Sequence, residues 1–295
     1  EYYQKKLLEV VEKIEGDASR FREEMAYLEE VLEPVSFEGR YRQHVEGFTG
    51  RQWLFKALAT WMQPTSASRL FWLSAGPGFG KTAWAVNVAV RNPATVVGSW
   101  FCEQGSQESR DAIRALTTLA FQMAQRLDDY RSCLIASLSK LALAVGPRDV
   151  GAESDGESDE EETSEAEEKP ADDADSADAP EAGEASAPLG ELSGAALLKS
   201  HIRAKSVHDL FSALFSEPMS GMIPRSHKHV VLLDALDEAC LPGGANPLAD
   251  LLDSQLMRLP SWFGVIVTSR PDPAVVDRLG RFSPVEVRAT DERNL

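Results

Sequence analysis

The sequence predicts an α/β fold: a parallel sheet flanked by helices, preceded by a long N-terminal amphipathic helix. Three observations carry this. Short apolar runs at residues 70–73, 95–102, 230–233 and 265–268 alternate with stretches of helical period, the order that gives parallel strands joined by right-handed crossovers. The runs are continuous in apolar and small residues, as strands covered on both faces require. Several of them stop abruptly in glycine or charged residues, at the strand end where open α/β sheets hold ligands.

Residues 1–33 read as one helix. Leu7, Val11, Ile14, Ala18, Phe21, Met25, Leu28 and Leu32 recur at alternating spacings of 4 and 3, an a/d stripe. Gly16 weakens it by about 1 kcal/mol. Glu33-Pro34 ends it, because a residue before proline avoids the α region. Two readings stay open for this helix: a coiled-coil arm that meets a partner or a second copy, or an amphipathic helix lying on its own domain. Residues 35–50 read as irregular, ending in Phe48-Thr49-Gly50-Arg51.

Next comes a helix with Trp53, Leu54, Leu58, Trp61 and Met62 on its apolar side, then a loop and a strand over 69–74. A glycine loop leads into a helix from Lys81 to about Arg91, broken by Asn92-Pro93. The run at 95–102 follows as a strand. Ile113, Leu116, Ala120, Met123 and Leu127 then mark a helix, and another spans about 130–143. Beyond the next segment, helices are expected at 207–215 and about 245–259, strands at 230–233 and 265–268, and a last strand in the alternating 284–288.

Charge is unevenly placed. The net charge is −17, yet residues 151–190 carry 16 acidic side chains against one basic, Lys169, which leaves the remainder at −2. Residues 147–190 have almost nothing to bury and are expected to be a disordered acidic insert. With the fold near neutral, no basic surface points to nucleic acid. Three widely spaced cysteines, Cys102, Cys133 and Cys240, suggest free thiols in a reducing, cytoplasmic setting, and the histidines make no metal pattern with them. No run of 18 apolar residues exists to span a membrane. The chain starts at Glu1 and ends in polar sequence, and reads as a segment of a longer protein.

The chemistry concentrates at three strand ends. Ala75-Gly76-Pro77-Gly78-Phe79-Gly80-Lys81-Thr82 fits the Walker A pattern with Ala75 in place of the first glycine. Gly76, Gly78 and Gly80 let backbone N–H groups turn inward around an anion, and the helix opening at Lys81, Thr82 and Ala83 adds its positive end. Lys81 can reach the β- and γ-phosphates, and the Thr82 hydroxyl can ligate Mg²⁺. The strand at 230–233 runs into Asp234, the expected second Mg²⁺ ligand, with Asp237 and Glu238 just beyond. Glu238 is the first choice to orient or deprotonate the attacking water, and Asp237 the next. The last buried strand ends in Ser269-Arg270, which places Arg270 to sense a γ-phosphate and neutralise transition-state charge.

Together the 75–82 loop, Leu233-Asp234-Ala235-Leu236-Asp237-Glu238 and Thr268-Ser269-Arg270-Pro271 resemble the NACHT group of STAND-class P-loop NTPases. Phe48 to Arg51 is similar to the segment that lies over the adenine in related NTPases. The resemblance spans about 45–295, except for the acidic insert, which matches no family feature. It implies a P-loop NTPase fold with the NTPase domain split into 35–146 and 191–295 behind a helix at 1–34. It further implies a switch that exchanges ADP for ATP to open and assemble, with weak ATPase activity at most. No Asn-Lys-x-Asp guanine signature is present, which favours adenine. The competing reading is a non-hydrolysing nucleotide-binding scaffold whose long helix meets protein partners. A small-molecule kinase would need an arginine-rich lid, and a ring motor a second sensor domain, neither of which is evident.

Overall fold

The structure is a computed structural model that describes residues 2–44, 50–63, 66–145, 194–288 and 290. The expected acidic insert and Phe48 lie outside these residues. Five strands, β1 (Leu70–Ala75), β2 (Val96–Phe101), β3 (His229–Asp234), β4 (Phe263–Ser269) and β5 (Val285–Val287), form one parallel sheet in the order β2-β3-β4-β1-β5. Around it lie α1 (Tyr2–Leu32), α2 (Glu38–His44), α3 (Gln52–Trp61), α4 (Lys81–Arg91), α5 (Gln107–Arg110), α6 (Ala112–Arg126), α7 (Asp128–Val145), α8 (Gly194–Ala204), α9 (Val207–Phe211), α10 (Glu217–Ser220), α11 (Pro247–Gln255) and α12 (Pro273–Leu279). The chain leaves β1 for the far edge, fills back through β3 and β4, and then adds β5 on the other side of β1. The order reverses at β1, and the crevice outside such a point is where open sheets hold ligands.

Side chains alternate along each strand and so sort into two layers. Phe71, Leu73, Val230, Leu232 and Ile266 meet Leu54, Leu58, Trp84 and Val88 from α3 and α4. Trp72, Val231, Leu233, Val265 and Val267 face the larger core under α6, α7, α9 and α11. The same parity places the last even-numbered residues of β3 and β4, Asp234 and Thr268, on the α4 side.

The helices start where the sequence supplies caps. Ser106, Asp111, Ser206, Asn246 and Asp272 each accept a backbone N–H at the first turn of α5, α6, α9, α11 and α12. Between α9 and α10 the helix widens into a π segment, Ser212–Ser216. Its carbonyls are not orphaned: Ala213 accepts from the Ser137 hydroxyl at 2.8 Å and Leu214 from the Tyr130 hydroxyl at 2.5 Å.

Two segments correct the sequence expectation. Residues 35–50 are not irregular throughout, since α2 forms there; at 7 residues it is too short for a periodic pattern to register. Helix α8, where the sequence reading named no helix, packs against α1 and α7.

The long helix α1 is divided. Met25, Leu28, Val31 and Leu32 are buried against the α6 and α8 layer, so its last turns lie on their own domain. Electrostatics fix this docking. Arg131 of α7 donates to Glu24 at 2.8 Å and stands 4.7 Å from the Phe21 ring, while Glu33 is paired with Lys199, Arg203 and Arg114. By contrast, Glu15 to Glu23 are exposed. The side chains of Leu7, Val11 and Ile14 are outside the described set. All three cysteines are free thiols. Among the described residues, no helix is long and apolar enough to cross a membrane.

Gly264 of β4 meets Trp61 closely: a Cβ there would sit 2.8 Å from the indole and 3.1 Å from the Arg69 carbonyl. Gly264→Ala should therefore lower stability in urea unfolding by about 1–3 kcal/mol. The same change should cost less on a Trp61→Leu background, where the indole is gone.

His229, 3% exposed at the start of β3, is pushed down to about 4 by burial, with the like charges of Arg225 and His227 adding to it. The folded state favours neutral imidazole. Its contribution is thus fully present above the unfolded value of 6.5 and is lost as pH falls toward 4. Stability should drop by about 2–3 kcal/mol across that window. His229→Phe should flatten that part of the profile in pH-dependent unfolding.

Candidate functional site

The site is built where β1, β3 and β4 end. After Ala75 the chain turns through Gly78 at φ 75° and Gly80 at φ 65°, the left-handed region where a side chain is disfavoured. Gly80 directly precedes α4, and no side chain caps the first turn of that helix. Its leading N–H groups therefore face the cleft with the positive end of the helix dipole behind them. From behind, Arg51 of the α3 start donates to the Phe79 carbonyl, with its guanidinium 5.8 Å from the Phe79 ring. Arg51 supports the loop and does not line the cleft. Burial pushes its pKa down.

Lys81 folds back on the loop, its Nζ donating to the carbonyls of Ala75 and Gly76 at 2.9 Å each. Desolvation holds this half-buried ammonium below the usual lysine value, with the charge of Asp237 the strongest opposing influence. The Thr82 hydroxyl stands close enough to Asp234 to lower its pKa.

Asp234 is 2% exposed. Burial raises its pKa, and the hydrogen bond from Thr268, the nearby Thr82 hydroxyl and the charge of Lys81 pull it back. The Thr268 hydroxyl donates to Asp234 Oδ1 at 2.6 Å and accepts the Ala235 N–H at 3.0 Å. Ala235 itself adopts φ 54° and ψ 48°, uncommon for a non-glycine residue. That left-handed step starts a short 3₁₀ turn, Leu236–Ala239, which brings Asp237 and Glu238 back over the glycine loop.

Both of these acids hold Arg270. Asp237 Oδ1 accepts the Arg270 backbone N–H at 2.9 Å, and its Oδ2 lies 3.4 Å from Nε. Glu238 Oε1 is 3.1 Å from Nη2, and its Oε2 accepts the Gln104 N–H at 3.2 Å. Arg270 is thus engaged by carboxylates at the rim of the cleft.

His44, the glycine loop, Lys81, Thr82, Ala83, Asp237, Glu238 and Arg270 enclose a cleft of about 270 Å³. Asp234 lies beneath it. Larger depressions of about 440 and 470 Å³, beside α3 and near β5, lack such a cluster of charged groups. Of the residues singled out from sequence, Gly78, Gly80, Lys81, Thr82, Ala83, Asp237, Glu238 and Arg270 come together here, with Gly76 in the loop behind Lys81. Three residues were missed. Thr268 sat in a quoted motif but looked like an ordinary strand residue. Arg40, paired with Glu103 and close enough to lower the Asp234 pKa, and His44 both belong to α2, in a segment read as irregular.

A family model described as Nephrocystin 3, N-terminal, matches residues 49–149. This is a family other than NACHT, and the match spans the glycine loop, Lys81 and Thr82 but none of Asp234, Asp237, Glu238 and Arg270. No curated protein and no solved structure matches the chain.

The left-handed Ala235 yields a direct check. Ala235→Val should destabilise by about 1–3 kcal/mol, because a β-branched side chain tolerates this conformation worst. Ala235→Gly should leave stability unchanged or raise it by up to about 1 kcal/mol. Thermal unfolding of the two variants reads the difference.

Proposed function

We propose that the chain is a nucleotide-dependent molecular switch. It binds Mg²⁺-ATP or ADP, hydrolyses ATP slowly, and controls the assembly or signalling of a larger multidomain protein. The observation that supports this most is the convergence of Lys81, Thr82, Asp234, Asp237, Glu238 and Arg270 on one cleft at the carboxyl ends of β1, β3 and β4. The resemblance to NACHT modules of P-loop NTPases, with the 35–146 and 191–295 segments as one domain, points the same way.

The residues fit the ligand. Gly78, Gly80 and the uncapped start of α4 offer backbone donors to phosphate, and Lys81 offers charge. Thr82 and Asp234 are hard oxygen ligands of the kind Mg²⁺ takes. Bound Mg²⁺ would supply charge neutralisation at the phosphates. Lys81 exchanges the Ala75 and Gly76 carbonyls for phosphate oxygens, and Arg51 braces the loop through the Phe79 carbonyl. Glu238 orients or deprotonates the attacking water, with Asp237 beside it, once Arg270 has left both for the γ-phosphate. That required movement accords with slow turnover and with binding energy that biases two conformations. The free thiols accord with a cytoplasmic setting.

A second reading, a non-hydrolysing nucleotide-binding scaffold, is favoured by the same ion pairs: both candidate bases are occupied by Arg270. The exposed Glu15–Glu23 part of α1 would then be the main protein-binding or self-association surface.

Calorimetric titration separates the outcomes. Mg²⁺-ATP and ADP should bind at micromolar or tighter Kd, and Lys81→Ala should weaken this by about 10–100-fold, the loss of one charge-assisted contact. Glu238→Gln should keep binding and lower turnover by about 10²–10⁴-fold. Binding by the wild type with no turnover selects the scaffold; no binding at all sinks both.

A further inference from the structure

We infer that Thr268 is a positioning residue of the nucleotide site, its hydroxyl setting the rotation of the Asp234 carboxylate toward a divalent cation. The inference rests on the nucleotide proposal above and adds a residue to it.

A threonine hydroxyl has one proton to donate. Here that proton goes to Asp234 Oδ1 at 2.6 Å, while the oxygen accepts the Ala235 N–H at 3.0 Å. Both interactions are buried, with Thr268 fully covered and Asp234 2% exposed. The hydroxyl spends its only proton on Asp234 and is fully covered, so it does not itself reach a ligand in the cleft. It acts through Asp234. Fixing Oδ1 against β4 leaves Oδ2 as the carboxylate oxygen without that bond, on the strand face shared with the start of α4.

A buried threonine more often satisfies itself on a neighbouring backbone carbonyl. This one spans two strands and bonds an acid. Just past the end of β4, the Arg270 backbone N–H makes a second link to the β3 turn, donating to Asp237 Oδ1 at 2.9 Å. Thr268 and Arg270 together stitch the β3 turn to β4, and the Ala235 bond secures the left-handed step on which Asp237 and Glu238 depend. Without the hydroxyl, Oδ1 and the Ala235 N–H both lose a partner where water has little access, and the carboxylate is free to rotate.

Outer-shell partners of metal ligands are typically worth 10–100-fold in metal affinity. The test titrates the chain with ATP in excess Mg²⁺ and with ATP in EDTA, in the wild type, Thr268→Val and Thr268→Ser. Thr268→Val should weaken Mg²⁺-ATP binding by about 10–100-fold and change binding in EDTA by less than about threefold. Thr268→Ser, which keeps the hydroxyl, should restore Mg²⁺-ATP binding to within about threefold of wild type. A loss of general stability would lower both titrations together. If Thr268→Val does not fold, Thr268→Ala, which removes the hydroxyl without adding bulk, carries the same expectation. An unchanged Mg²⁺ increment in either hydroxyl-free variant, or an increment lost in Thr268→Ser, overturns the role of Thr268. Absence of nucleotide binding by the wild type overturns the nucleotide proposal instead.

Discussion

The end of the sheet is organised around one buried carboxylate. Asp234 closes β3 at 2% exposure, and an isolated ionised group so placed would cost several kcal/mol. The surroundings are arranged to lessen that cost. Thr268 reaches across from β4, Thr82 down from α4, and the ammonium of Lys81 lies near enough to favour the ionised form. Thr268 comes from β4 and Thr82 and Lys81 from the start of α4, so the carboxylate is stabilised only when β3 and β4 stand side by side with the β1–α4 loop folded over them. An acid that is expensive alone thereby enforces the register of the strand ends.

Above this fixed layer sits a looser one. Asp237, Glu238 and Arg270 form ion pairs at the rim, with the Arg270 side chain 47% exposed. The more exposed Arg270–Glu238 pair is worth about 0–1 kcal/mol and is easily exchanged for another anion, whereas Asp237 is largely covered and also accepts the Arg270 backbone N–H. The floor and rim therefore differ in kind. Asp234 and Thr268 are buried and bonded to each other, with half-buried Thr82 beside them, while the Arg270 guanidinium is held in part by the Glu238 contact, which a ligand phosphate would replace at little cost. A rigid floor with an exchangeable cation above it suits a site whose state depends on what occupies it.

Much of the architecture was legible because its signals are local and periodic. The strand runs announced their burial through unbroken apolar character, and the helices through the spacing of their apolar residues. The glycine loop and the acids after β3 were readable because their residue types are unusual between a strand and a helix. What stayed hidden depends on contacts between distant residues. Nothing in residues 35–50 signals that α2 brings His44 to the cleft and Arg40 near Asp234. Nothing local distinguishes Thr268 from any strand threonine, since its role lies in a bond to a residue 34 positions earlier. The heptad stripe of α1 was ambiguous as to its destination: Met25, Leu28 and Leu32 face this chain's own core, Ala18 and Phe21 are exposed, and the side chains before Glu15 lie outside the described residues.

The sheet order explains why the site belongs to the whole chain and to neither half. Strands from before and after the acidic insert interleave: β3 and β4 lie between β2 and β1, and β5 pairs with β1 beyond them. The first half alone would leave β1 and β2 without the neighbours that separate and join them, and each would expose a hydrophobic edge. The glycine loop and Lys81 lie on one side of the insert in sequence; Asp234, Asp237, Glu238 and Arg270 lie on the other. Helices α7 and α8, which bracket the insert, pack against each other, so the fold closes across it. Loop-closure cost grows only logarithmically with length, about 0.6 kcal/mol per doubling, so a long insertion between two packed helices is inexpensive. A long insert is thus compatible with an intact site because the interleaved sheet, and not chain continuity, brings the two halves of the chemistry together.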